Sequence, residues 1–207
     1  MSASVTLPAA VAMLLAGEPA RSPEEAVLDQ SRELDRFLAS VERRAFKIAQ
    51  IAIRDIDEAL DIVQDAMMQL ARRYGARPSE EWGPLFYRIL HNRIRDSQRR
   101  RMVRSRFLVW WPTRLADDEE AADPIESAAG KEMAPADRAQ VDETLRALEV
   151  ALAALPARQQ QAFLLRTLEG LDVEDTAAAM GCSQGSVKTH YFRAVQTLRE
   201  RLGEFWS

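Results

Sequence analysis

Apolar side chains recur three and four positions apart along most of this 207-residue chain. That spacing places them on one face of a helix, whereas a half-buried strand would need strict alternation. The pattern runs through 34–52, again from about Asp57 to Tyr74, and a third time from Ser79 onward. It stops near residue 109 and resumes at Val141. The chain is therefore predicted to be all-α.

The same spacing predicts which side chains form the core. The expected buried residues are Leu34, Phe37, Leu38, Val41, Ala45, Ile48, Ala52, Leu60, Val63, Met67, Leu70, Trp82, Leu85, Phe86, Ile89, Leu90, Ile94, Val141, Leu145, Leu148, Ala151, Leu152, Leu155, Phe163, Leu164, Leu168, Val187, Tyr191, Ala194, Val195 and Leu198.

The interruption of the helical pattern indicates two small helical domains joined by a flexible acidic linker. Three prolines fall between residues 109 and 135 in an acidic stretch, and a loop of that length is uncommon inside one compact domain. We expect a loosely ordered tail over 1–27, a first domain over 28–108, the linker over 109–140 and a second domain over 141–207. Trp110 and Trp111 either cap the core of the first domain or anchor a partner.

Charge is distributed unevenly although the net charge is only −4. Residues 86–106 contain eight arginines and one aspartate, a local charge of +7, whereas residues 117–149 carry −8. Two adjacent segments of opposite sign indicate an interaction surface followed by a solvated connector.

Several functional classes are disfavoured by what the sequence lacks. It has no apolar run of the roughly 18 residues that a membrane helix needs, so no membrane insertion is expected. A single cysteine, Cys182, and two histidines offer neither a disulfide nor the usual zinc spacing, which fits a cytoplasmic protein. No phosphate-binding loop and no nucleophile with a base are visible. We expect no enzyme activity, no cofactor and no metal.

The segment 173–202 has the pattern of a helix-turn-helix. Gly181 suits the positive φ of a tight turn, and Ser183 can cap the second helix. If Val187 and Tyr191 are buried, a short polar and basic face remains outside, of the kind that reads DNA from the major groove. Its residues are Gln184, Ser186, Lys188, Thr189 and Arg193. A helical hairpin with a glycine turn and no DNA role is the alternative.

A second polar face is predicted on the helix that starts near Asp57. Asp61, Gln64, Asp65 and Met68 are spaced i, i+3, i+4 and i+7, apart from the expected core side of that helix. A methionine among exposed acids favours a surface that binds a partner. A merely solvated acidic face remains the alternative.

Four motifs in this order resemble the bacterial RNA polymerase sigma factors of the extracytoplasmic-function (ECF) group, which belong to the sigma-70 family and keep regions 2 and 4. Residues 61–65 resemble the core-binding motif of region 2, and residues 87–100, with Tyr87, Arg88, Asn92, Asp96 and Arg99, resemble its promoter-opening helix. Residues 155–171 are similar to the start of region 4, and residues 181–188 to its recognition turn. The resemblance covers most of 37–202.

The resemblance implies an alternative-sigma transcription initiation factor with three partners: core RNA polymerase, promoter DNA and an anti-sigma factor. The acidic face would bind the polymerase, the third helix would open the minus-10 element, and the helix-turn-helix would read the minus-35 element. The implied DNA contacts are Arg88, Asn92, Arg95, Arg99, Arg100 and Arg158, together with the helix-turn-helix residues. Two alternatives remain: a conventional helix-turn-helix regulator that binds DNA without polymerase, and a sigma-like protein that only binds partners.

Overall fold

The structure is a computed structural model that describes residues 23–108 and 135–203. Seven α-helices and no strand occur in these two ranges, as the sequence predicts. In chain order they are α1 (Pro23–Ile53), α2 (Ile56–Tyr74), α3 (Ser79–Leu108), α4 (Pro135–Ala153), α5 (Ala157–Thr167), α6 (Val173–Met180) and α7 (Gln184–Arg201). The predictions for residues 1–22, for Trp110 and Trp111, and for the linker up to residue 134 lie outside the described residues.

Two helices begin earlier than the apolar pattern indicated. Helix α1 begins at Pro23 instead of near residue 28, and α4 begins at Pro135 instead of Val141. Both start on a proline, whose fixed φ suits the first helical position, and acidic residues follow in the first turn. Such starts have no apolar face, so a search for periodicity overlooks them.

Helices α1, α2 and α3 pack against one another and form the N-terminal group. Its core contains Ile48, Leu70, Trp82, Phe86 and Leu90, all with almost no exposed surface. Aromatic contacts stabilise the packing of α1 against α3. The ring centroid of Phe37 lies 5.8 Å from that of Trp82 in a tilted contact and 6.2 Å from that of Phe86 in an edge-on contact.

Helices α4 to α7 form the C-terminal group, in which α5 and α7 pack together and α6 contacts both. The turn between α6 and α7 has the predicted chemistry. Gly181 ends α6 with a φ of 62°, and the Ser183 hydroxyl accepts a hydrogen bond from the Ser186 amide at 3.2 Å. The two groups also touch, α3 against α6 and α1 against α4, and their buried apolar side chains belong to one cluster.

Four residues that the sequence placed in the core are exposed instead. The buried face of α2 is centred on Ala59, Ile62 and Ala66. Leu60, the first predicted core residue of this helix, therefore points outward. From residue 141 onward, helix α4 is buried mainly at its C-terminal end, and the last predicted core residue of α5, Leu168, lies beyond the end of that helix. The four are Leu60, Val141, Leu145 and Leu168.

Candidate nucleic-acid and partner interfaces

A basic stripe runs along the exposed side of α3. Arg88, Asn92, Arg95 and Arg99 are spaced three or four residues apart and all are exposed, with Arg100 exposed beside them. Arg95 Nη2 donates a hydrogen bond to Asn92 Oδ1 at 2.6 Å, so one guanidinium orients the amide. The five predicted DNA contacts of this helix therefore share one accessible surface, the basic stripe.

Arg101, which follows directly in the sequence, points to the opposite side of α3. Its guanidinium donates to the carboxylates of Glu58 and Asp55 and to the Ile53 carbonyl, at 3.1 Å for Asp55 and 2.8 Å for Ile53. The hydroxyl of Ser97 also donates to Glu58, and this bond, with help from Arg101, lowers the pKa of that carboxyl. Arg101 thus fastens the α1–α2 corner to α3 and is not part of the basic stripe.

The outer side of α7 forms a second polar face, the reading face. Gln184, Lys188, Thr189 and Arg193 are exposed as predicted. Ser186 is only partly exposed because its hydroxyl lies 2.9 Å from that of Ser183 and serves the cap. The helix begins with an uncharged first turn, so its N-terminal dipole adds positive potential to this face.

The reading face includes one residue that sequence analysis missed. Phe192 is 68% exposed and follows Lys188 by four positions and Thr189 by three. That spacing was readable in the sequence, but aromatic residues are ordinarily assigned to a core. An apolar side chain beside Arg193 can contact a thymine methyl group in the major groove.

Arg158 makes a structural contact with the helix-turn-helix. The residue is exposed on α5, yet its Nη1 donates to the Met180 carbonyl at 2.8 Å, at the last residue of α6. This bond ties α5 to the C-terminal end of α6, the first helix of the helix-turn-helix. The predicted DNA contact by Arg158 therefore stays a prediction, whereas its role in positioning α6 is visible.

The acidic face of α2 is accessible but partly engaged. Asp61, Gln64 and Met68 are exposed, and the outward-turned Leu60 adds apolar area beside them. Asp65 differs because Arg93 Nη1 donates to its Oδ2 at 3.0 Å, while Nη2 of the same arginine donates to Gln69 at 3.1 Å. We call Leu60, Asp61, Gln64, Asp65 and Met68 the docking face.

The basic stripe and the reading face meet at one place. A cleft of about 560 Å³ separates α3 from the turn of the helix-turn-helix, and it is lined by Arg88 on one side and by Cys182, Ser183 and Gln184 on the other. Within the described residues, no cluster of three or more acidic, histidine or cysteine side chains could hold a metal ion. No helix among them is long and apolar enough to cross a membrane.

Comparison with known proteins decides the family. The sequence model of sigma-70 region 4 matches residues 145–198, the span from α4 to α7. The RNA polymerase sigma-E factor of Streptomyces antibioticus is 31% identical over 150 residues, which cover 72% of this chain and 73% of that one. This chain belongs to the ECF sigma factors of the sigma-70 family. The ECF RNA polymerase sigma factor SigM of Mycobacterium tuberculosis is 29% identical over 174 residues, 82% of this chain and 76% of that one.

The fold of this sigma factor agrees with solved structures. The sigma factor RpoE of Bartonella quintana, solved in complex with the anti-sigma factor NepR, matches with a TM-score of 0.60 at 24% identity, over 82% of this chain and 96% of that one. As an alternative sigma factor, the protein directs RNA polymerase to promoters. It is a transcription initiation factor and not an enzyme.

Proposed function

We propose that the three exposed faces divide the work of this sigma factor. The docking face of α2 binds core RNA polymerase, the basic stripe of α3 acts on the minus-10 element, and the reading face of α7 reads the minus-35 element as duplex. The observation that carries the proposal is that these faces are exposed and belong to different helices, so each can meet its own partner.

The reading face is suited to duplex DNA. Within it, Lys188 and Arg193 supply charge for phosphates, and Gln184 supplies an amide that can pair with an adenine edge. The cap by Ser183 fixes the direction in which this helix begins. The helix N-terminus adds further attraction for phosphate.

The basic stripe is suited to a strand that is being separated. Extruding a base costs a few kcal/mol, and phosphate neutralisation by arginines offsets part of that cost. Asn92 offers both a donor and an acceptor to an unpaired base, and Arg95 already orients its amide.

We further propose the domain division given by the sequence: a tail over 1–27, a region 2 domain over 28–108, an acidic linker over 109–140 and a region 4 domain over 141–207. The linker would enter a basic channel of the polymerase because of its acidic charge. An anti-sigma factor is the expected regulator. Because bacterial RNA polymerase works in the cytoplasm, this function places the protein there.

The test mixes the purified chain with sigma-free core polymerase and follows co-elution and transcription from promoter fragments. Gln64→Ala should weaken co-elution, and Lys188→Ala should weaken promoter binding alone. Glu80→Gln, at an exposed acid of the first turn of α3, is the control. Co-elution without transcription would favour a sigma-like protein that only binds partners, and DNA binding without polymerase would favour a conventional regulator.

A further inference from the structure

A groove of about 430 Å³ lies between α4 and the C-terminal end of α7. Four apolar side chains and three exposed charged side chains line it. The apolar ones are Ala147, Val150, Ala151 and Leu202, and the charged ones are Glu143, Arg146 and Arg201. We call these seven residues the α4–α7 groove. None of them belongs to the docking face, the basic stripe or the reading face.

Val150 leaves apolar surface uncovered in this groove. In the part of the chain that the structure describes, the residue is 64% exposed, whereas Ala151 and Leu202 beside it are buried. Leu152 is two positions further along and points about 200° away around the helix, into the core. Val150 therefore lies on a side of α4 that the core does not use. An apolar groove bordered by charged residues is typical of a site that receives another apolar group.

The sequence supplies two apolar groups beside the groove. Glu204, Phe205 and Trp206 follow the lining residue Leu202 after a single glycine. Three extended residues span at most about 10 Å and four about 14 Å, whereas the axes of packed helices are themselves about 8–10 Å apart. Both aromatic side chains are therefore within reach of the groove from the end of α7. Because this tether is short, closing it costs little chain entropy.

The charge of the segment also complements the groove. Glu204 is negative, whereas Arg146 and Arg201, two of the three charged lining residues, are positive. The two aromatic residues each bury about 150–250 Å² when they pack, which is more than enough to cover the exposed valine. The segment thus matches the groove in position, in apolar area and in charge.

We propose that residues 204–206 occupy the α4–α7 groove, with Phe205 and Trp206 against Val150, and fasten the end of α7 to α4. The reading face lies on this same helix. The Ser183 cap fixes where α7 begins, and the contact in the groove fixes where it ends. The proposal does not depend on the function proposed for the three faces, because it concerns a separate surface.

Quenching of a bimane label by tryptophan tests the proposal. The label is attached at Glu143→Cys, an exposed lining position, in a Cys182→Ser background. Trp206→Phe removes the quencher and keeps an aromatic side chain. The other three tryptophans of the chain are present in both proteins, so the difference in emission reports Trp206 alone. A label at Leu145→Cys, exposed and about 200° around α4 from residue 143, is the control.

A substitution in the groove tests the site itself. Val150→Glu places a carboxylate among the apolar lining residues and should expel the segment. Val141→Glu is the matched control, because it makes the same change at an exposed valine about 180° around the same helix. Both valines are exposed, and equal helix content by circular dichroism shows that both variants are folded.

We expect the label at residue 143 to emit less light in the chain that has Trp206 than in Trp206→Phe, at every protein concentration. Val150→Glu should abolish that difference, and Val141→Glu should leave it unchanged. Equal emission with and without Trp206 would overturn the proposal and leave the groove to a partner. So would quenching that disappears on dilution, because a second copy would then supply the tryptophan. Quenching that survives Val150→Glu, or that is as strong at residue 145, would also overturn it.

Discussion

Arg93 of α3 binds Asp65 of α2 across 3.0 Å, so one acid of the docking face is already paired inside the chain. The same guanidinium holds Gln69, which fixes the register of the two helices at this face. Asp61 and Gln64 are exposed and can meet a partner in full. The docking face therefore contains one acid held in an ion pair, Asp65, and one exposed acid, Asp61.

Gln64→Ala and Asp61→Ala should weaken binding to core polymerase more than Arg93→Ala does. Arg93 and Asp65 are each about half exposed, so their pair contributes about 0–1 kcal/mol to stability. Fluorescence titration measures the affinity for core polymerase of Arg93→Ala, of Asp65→Ala and of the double variant. Comparison of the three gives the coupling free energy between Arg93 and Asp65. Additive losses would contradict an organised Asp65, since paired residues should be non-additive.

Lys188→Ala with Arg193→Ala should flatten the salt dependence of promoter binding. Each lost phosphate contact changes the slope of log affinity against log salt by about 0.9, so the double variant should lose about two units. Arg32→Ala with Arg43→Ala removes the same two positive charges at exposed sites on α1 and serves as the control. A slope that both substitutions leave unchanged would remove α7 from the DNA interface.

Arg101→Ala should destabilise the fold, whereas its neighbour Arg100→Ala should not. Loss of the bonds to Glu58, Asp55 and the Ile53 carbonyl should cost about 1–3 kcal/mol in urea unfolding. Arg100 is exposed, so its loss should stay within about 0.5 kcal/mol and weaken promoter DNA binding instead. The reverse ranking would show that the two arginines have been assigned to the wrong sides of α3.

Acid should destabilise the folded chain through His91. Burial, followed by the nearby charges of Arg158 and Arg95, lowers the pKa of His91 to about 3, and its Nε2 is buried without a partner among the described residues. Because the pKa of His91 is depressed in the folded chain, the unfolded chain binds the proton more readily. Stability is unaffected well above pH 6.5 and falls by up to about 1.4 kcal/mol per pH unit between pH 6.5 and 3.

The variant His91→Gln isolates that contribution. Urea unfolding at several pH values between about 7.5 and about 5 should show a shallower pH dependence for the variant than for the wild type. Identical curves for the two proteins would show that His91 is accessible to protons in the folded chain, and the buried position assigned to its ring would be wrong.

The helices and the turn of the helix-turn-helix were predictable because their causes are local. Gly181 and Ser183 act on residues within a few positions, and Lys188 and Arg193 face outward once Val187 is buried. The exposure of Leu60 was not predictable in this way. Periodicity gives the period of a helix but not the direction from which its neighbours approach, and here they approach along Ala59 and Ala66.

The contacts of Glu169 and of Arg101 could not be read from the sequence. Glu169 meets Tyr87 from 82 positions away and Arg44 from 125, and Arg101 meets Glu58 from 43. Nothing in the local sequence distinguishes a buried Glu169 from the exposed acids around it. Likewise, Arg100 and Arg101 are chemically equal neighbours, and only the packing of α3 against the α1–α2 corner separates their roles.

The most direct test of the three-face division is co-elution of the purified chain with sigma-free core RNA polymerase, followed by transcription from genomic promoter fragments. We predict a stable complex that melts and transcribes a specific subset of promoters. Gln64→Ala should weaken the complex with the polymerase, and the Lys188→Ala, Arg193→Ala double variant should weaken only promoter binding. A chain that binds those promoters unaided and never co-elutes with the polymerase would contradict it.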